Sequence, residues 1–172
     1  MRIFLHICVL GAALISVSCS REGQAAFPVR TVAMGDRAEV GHLIYQVFET
    51  RWETQLPQEP TPRVPKNRFF LVRLSALNNA GNEVMLPTLS LQDDAGNLYE
   101  ELNNGEGVPQ WTGFLRQIKP ADTIQGNVVF DVPPKHYKLR VTDENGERVG
   151  LVDIPLNFNA ETPEVPIPGE KK

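Results

Sequence analysis

Alternation of apolar and polar positions is the dominant signal in this chain. In Arg68–Asn78, "RFFLVRLSALN", Phe70, Val72, Leu74 and Ala76 recur at every second position. That spacing puts them on one face of a β-strand. Phe69 and Leu71 share the other face with Arg73 and Ser75, so the strand is predicted to be central and partly covered on its second side. "TIQGNVVFD", Thr123–Asp131, alternates cleanly through Ile124, Gly126, Val128 and Phe130. Tyr137–Thr142 repeats the pattern with Tyr137, Leu139 and Val141 inward. Phe70, Val72, Leu74, Val128 and Phe130 are the expected core.

Shorter strands are predicted at Ala38–Val40, Leu43–Arg51, Val84–Gln92 (interrupted by Pro87), Leu98–Leu102, Phe114–Ile118 and Val149–Ile154. Turns separate them. "NNAGN", "DDAGN" and "DENGE" are rich in the residues that bond their own backbone or accept a left-handed conformation. Asn145-Gly146 suits a two-residue hairpin. Two longer connections stand out. "LPQEPTPRVP", Leu56–Pro65, holds four prolines in ten residues, which excludes helix and central strand. "NNGEGVPQWTG", Asn103–Gly113, carries Trp111 in a Gly/Pro/Asn setting. No segment has a helical period of useful length. The expectation is an all-β, immunoglobulin-like antiparallel sandwich of about seven to nine strands.

The N-terminus has a different texture. Arg2 precedes a mostly apolar run, Ile3–Val17, which ends in small residues before Cys19. That order is a secretory signal peptide, and the run is short of the roughly 20 apolar residues that a spanning helix needs. Ile15-Ser16-Val17-Ser18-Cys19 resembles the lipobox of bacterial lipoproteins, although Ser16 stands where a large aliphatic residue is usual. The resemblance implies cleavage before Cys19 and acylation of its thiol, and hence attachment to the lipid bilayer. The alternative is an ordinary signal peptide cut near Ala25-Ala26. Cys8 is a poor competitor, because it lies inside the apolar run behind Ile7. The expected organisation is signal peptide 1–18, lipid-anchored tether 19–33, sandwich 34–157 and a Pro/Glu-rich tail 158–172.

Composition narrows the functions. Losing the signal removes only Arg2 from the charged side chains, so the mature net charge is about −5. This argues against nucleic acid and against a basic membrane-binding face. Of the two cysteines only Cys19 survives cleavage, and lipidation consumes it. No disulfide, metal centre or cofactor is therefore expected. A mature chain of roughly 150 residues is long enough to rely on its own core.

Four segments together, "GDRAEVGHLIYQV", "NRFFLVRLSALNNAGNE", "LSLQDDAGNLYE" and "IKPADTIQGNVVFDVPPKHYKLRV", resemble an immunoglobulin-like domain, related in fold to telokin, found in bacterial lipoproteins and secreted antigens of largely unknown function. The likeness runs over roughly 120 residues, from Met34 to Leu156. It implies a fold and a location in the cell envelope, and it brings no catalytic residues.

No residue pattern points to catalysis. The mature chain has only His42 and His136, both beside predicted turns, and no Gly-x-Ser-x-Gly elbow. Asp93-Asp94 with Gly96 lacks the spacing and distal Glu of a calcium loop, so a turn is the simpler reading. The expected function is a non-enzymatic envelope module that binds a protein or envelope component through loops at one end of the sandwich. Trp111, Pro109, Pro60 and Pro62 are the candidate contacts. Trp111 is expected either to anchor a partner or to fold back as a plug over the open end. The alternatives are an envelope enzyme or accessory that uses His136 or the acidic pairs Asp93/Asp94 and Glu100/Glu101, and a structural spacer. Ser20 after the Cys is compatible with the outer membrane.

Overall fold

Inward-facing residues at every second position build two sheets that face one another. In the computed structural model, which describes residues 27–156, eleven strands run in chain order: β1 Arg30–Ala33, β2 Arg37–Val40, β3 Leu43–Glu53, β4 Phe69–Asn78, β5 Val84–Met85, β6 Ser90–Gln92, β7 Leu98–Glu100, β8 Gln117–Ile118, β9 Thr123–Asp131, β10 Tyr137–Thr142 and β11 Val149–Ile154. One sheet has the order β1-β11-β10-β6-β7 and the other β2-β3-β4-β9, while β5 and β8 form a small pair. The signal segment, Cys19 and the tail 158–172 lie outside the described residues.

The main core fills the space between the sheets. β4 contributes Phe70, Val72, Leu74 and Ala76, β9 contributes Val128 and Phe130, and β10 contributes Tyr137, Leu139 and Val141. All five expected core residues are buried. Each such side chain taken fully from water stabilises by about 1.5–3 kcal/mol. Trp52 stacks on Phe70 at 4.2 Å. Tyr45 is fully buried and donates its hydroxyl to the Thr142 carbonyl at 2.7 Å, tying one sheet to the other. Burial pushes its phenol well above the ordinary range.

Several local expectations change. Arg30–Ala33, read as the end of the tether, is a strand that pairs in parallel with β11 from Arg30↔Gly150 to Ala33↔Asp153. Val84–Gln92 is not one strand. Around Pro87 the chain leaves β5, in the small pair, and enters β6 in the five-stranded sheet, because proline cannot continue a ladder. Only Gln117–Ile118 of the apolar stretch Phe114–Ile118 is paired, while Phe114 and Leu115 are exposed. The β10–β11 turn is longer than two residues. Asp143 Oδ1 accepts from the Glu147 and Arg148 amides at 2.8 and 3.1 Å, and only Gly146 is left-handed, at φ 74°. The Asp carboxylate organises this turn, so the type I′ geometry suggested by Asn-Gly does not form.

Candidate functional site

The outward residues of the four-stranded sheet create a second, smaller core. Phe69 and Leu71 on β4 and Val129 on β9 point away from the main core, and two loops cover them. Leu56 comes from the Pro-rich loop. Leu102, Val108 and Trp111 come from the segment after β7. The sequence singled out these loops separately, and the structure joins them. Gln58 donates to Glu106 at 2.8 Å, and Arg63 donates to the Asn104 carbonyl at 2.7 Å. The Arg63 guanidinium also lies 5.0 Å from the centre of the Phe69 ring. Leu56 and Arg63 exchange backbone bonds at 2.9 Å, which closes the Pro-rich loop on itself.

The second loop also occupies the free edge of β9. Leu102 N–H donates to the Val129 carbonyl at 2.8 Å, Asn127 N–H to Gln110 at 2.9 Å and Thr112 N–H to Asn127 at 3.1 Å. The Asn127 side chain adds a 2.6 Å bond to the Pro109 carbonyl. An edge that would otherwise present unpaired donors and acceptors is thereby covered. Two glycines permit the approach. A Cβ on Gly126 would sit 2.2 Å from the Gln110 carbonyl oxygen, and one on Gly105 would sit 1.9 Å from the Trp111 ring.

Trp111 is half-buried. It packs against the outer sheet face with Phe69, Leu71 and Val129. Its Nε1–H is buried without a partner. Pro109, Pro60 and Pro62 are exposed. Pro109 borders two shallow clefts. One, of ≈ 190 Å³, is lined by Glu49, Arg51, Arg73, Gln110 and Asn127. The other, of ≈ 360 Å³, is lined by Glu53, Leu56, Pro57 and Val108, with Arg51 shared. Arg51 pairs with Glu53 at 2.7 Å and Arg73 with Glu49 at 3.9 Å. These pairs are largely solvated, so they shape the surface more than they stabilise it. The clefts escaped the sequence reading because much of their polar lining comes from outward positions of β3, β4 and β9, which alternation marks only as solvent-facing.

The remaining charged candidates are engaged in the fold. Asp93, buried, accepts from Lys135 at 2.5 Å, Asn97 at 2.9 Å and Tyr99 at 3.1 Å. Its bond from Lys135 comes first among the causes that hold its carboxyl well below the usual range. His136 bridges Asp94 at 2.9 Å and Asp153 at 3.0 Å through its two ring nitrogens. The Asp94 bond raises its pKa, as expected when both partners favour imidazolium. Glu101 and Arg116 form a buried pair. Burial raises the Glu101 pKa and Arg116 opposes that rise. Glu101 also accepts from the Leu89 amide at 2.9 Å, while Glu100 is exposed. His42 bonds Glu144 at 2.5 Å. The acidic pairs therefore do not converge with His136, which touches Asp94 alone of the four. Among the described residues there is no group of three or more metal-ligating side chains.

Two twisted sheets around one core, with loops at both ends, define an immunoglobulin-like β-sandwich, in agreement with the resemblance carried by the four quoted segments. The chain belongs to the family described as a domain of unknown function, DUF4352, which matches residues 32–148. Among solved structures it is similar to the secreted protein MPT63 from Mycobacterium tuberculosis, at 16% identity and TM-score 0.56, covering 76% of this chain and 100% of that one. It is also similar to the yjhA protein from Bacillus subtilis, at 15% identity and TM-score 0.54, covering 72% and 98%. At such identities the likeness is one of fold. A search of curated protein sequences finds no relative.

Proposed function

We propose that this protein is a lipid-anchored, non-enzymatic module of the cell envelope. In this reading acylated Cys19 holds it to a bilayer, and the paired loops Leu56–Pro65 and Asn103–Gly113 bind a protein or envelope component. The observation that carries the reading is the joining of both loops into one cap, with Pro109, Arg51 and Arg73 bordering clefts beside it. A cap seated on its own small core is preorganised, and preorganisation lowers the entropic cost of binding. The lipobox-like segment before Cys19 supports the location, as does the secreted character of MPT63.

A photo-crosslinking amino acid placed at Pro60 or at Pro109, in intact cells, tests the binding surface. Adducts from these positions, and none from Lys138 on the other sheet, are expected. Adducts from Lys138 alone would overturn the reading. Labelling with a clickable fatty acid tests the anchor: equal label in wild type and Cys19→Ala would exclude it.

A further inference from the structure

Arg30, Arg37 and Arg148 are distant in sequence and line a single groove. It lies along an open side of the sandwich, between edge strand β2 and the β1–β11 pair, and encloses ≈ 350 Å³. Glu39 is the one carboxylate among its lining residues. Among the described residues, none of the three guanidiniums forms a salt bridge. Arg148 lies 4.4 Å from the centre of the Phe27 ring. Phe27 is itself 49% exposed, and Val32 lines the groove beside it. The groove thus combines cationic side chains with an exposed aromatic one, which is the composition of an interfacial surface. The mild net acidity of the chain argued against such a face, but the fold gathers the arginines that the average hides.

The position of the groove in the chain selects its occupant. Phe27 lines it, and only residues 20–26 separate Phe27 from Cys19, a path of eight residue steps. Eight extended steps span at most about 29 Å. Within that segment Arg21 and Glu22 cancel. We propose that this groove docks on the anionic phospholipid surface of the bilayer that carries the protein. The arginines meet lipid phosphates, and Phe27 meets the headgroup boundary. Its placement beside a bilayer rests on acylation at Cys19, whereas its chemistry does not. The lipid at Cys19 and the basic patch are separate membrane signals, and the patch adds an orientation that the lipid alone does not fix. The docking also sets orientation. Arg30 and Arg148 lie at the end of the sandwich opposite Glu53 and Phe69, where the loop cap begins, so the cap faces away from the membrane.

Vesicle sedimentation of the mature chain 19–172 carrying Cys19→Ala tests this without the acyl chain, so the result is independent of whether Cys19 is modified in cells. Binding is expected to vesicles with about one-third phosphatidylglycerol and not to phosphatidylcholine alone, and it should weaken as salt rises. R37A/R148A should lower the partition roughly 25-fold, about fivefold per arginine, with an unchanged melting curve. Three results would overturn the proposal. One is equal partition into both vesicle types. Another is an equal loss in K138A/R140A, which removes the same charge from a different face. The third is displacement by inorganic phosphate, which would make the groove a free-anion site.

Discussion

The core between the sheets and the core under the loop cap use opposite faces of the same strands. On β4, Phe70, Val72 and Leu74 point one way and Phe69 and Leu71 the other. On β9, Val128 and Phe130 oppose Val129. The inner core is strand against strand, so its geometry follows from period-two alternation on both partners. The outer core is strand against loop, and its lid is assembled from single apolar residues such as Leu56 and Val108. The inner arrangement defines the fold. The outer one gives a surface whose shape can vary while the sandwich stays intact.

That division sets an order of effects. Phe130→Ala should cost roughly 3–5 kcal/mol in urea unfolding, since a fully buried ring leaves a cavity between rigid sheets. Leu71→Ala should cost about 2–3 kcal/mol, near the low end for such truncations, because the loops can settle into the space. Hydrogen exchange should then accelerate at Leu102, Thr112 and Asn127 before the amides of β10 respond. Uniform acceleration would mean that the two cores unfold as one unit.

Gly126→Ala should cost about 1–3 kcal/mol. Its added carbon meets the Gln110 carbonyl, and the expected response is displacement of the loop from the β9 edge, read as lost protection of the Asn127 amide. Trp111→Ala should cost about 1–2 kcal/mol, since the ring is only half-buried. If Trp111 also anchors a partner, the same change weakens binding far more than it lowers the melt.

The smallest effect concerns His136. Its folded pKa is raised by Asp94 and Asp153. The stability it contributes is therefore fully present below the unfolded value near 6.5 and is lost as pH rises through the folded value. His136→Gln should flatten the decline of melting temperature as pH rises above about 6.5. The acid limb belongs to groups such as Asp93, whose lowered pKa supplies stability above about pH 4 that fades as pH falls.

Much of the inner core was legible in the sequence. β9 and β10 have the bounds that alternation predicts, Thr123–Asp131 and Tyr137–Thr142, because both faces of each strand report their surroundings. The partial cover over Phe69 and Leu71 was legible too, from their apolar character on the second face. The identity of the cover was not. Leu56, Val108 and Trp111 stand alone among Pro, Gly and Asn, and an isolated apolar residue has no period to read. β1 escaped for a similar reason: of its four residues only Val32 is half-buried, and its partner lies at the far end of the chain. The arginine groove escaped because net charge averages over a surface that the fold divides.

Were the chain held at Cys19, as proposed above, any pull would pass through β1. That strand lies parallel to β11 over four residue pairs, and Met34 N–H adds a further bond to the Asp153 carbonyl at 3.0 Å. Tension along the strand axis would act across these bonds and shear them together instead of opening them one after another. β11 is held on its other side by six pairs to β10. Force from a moving partner at the cap would therefore spread through the five-stranded sheet before it reached the tether, and β1 is the clasp that joins the two.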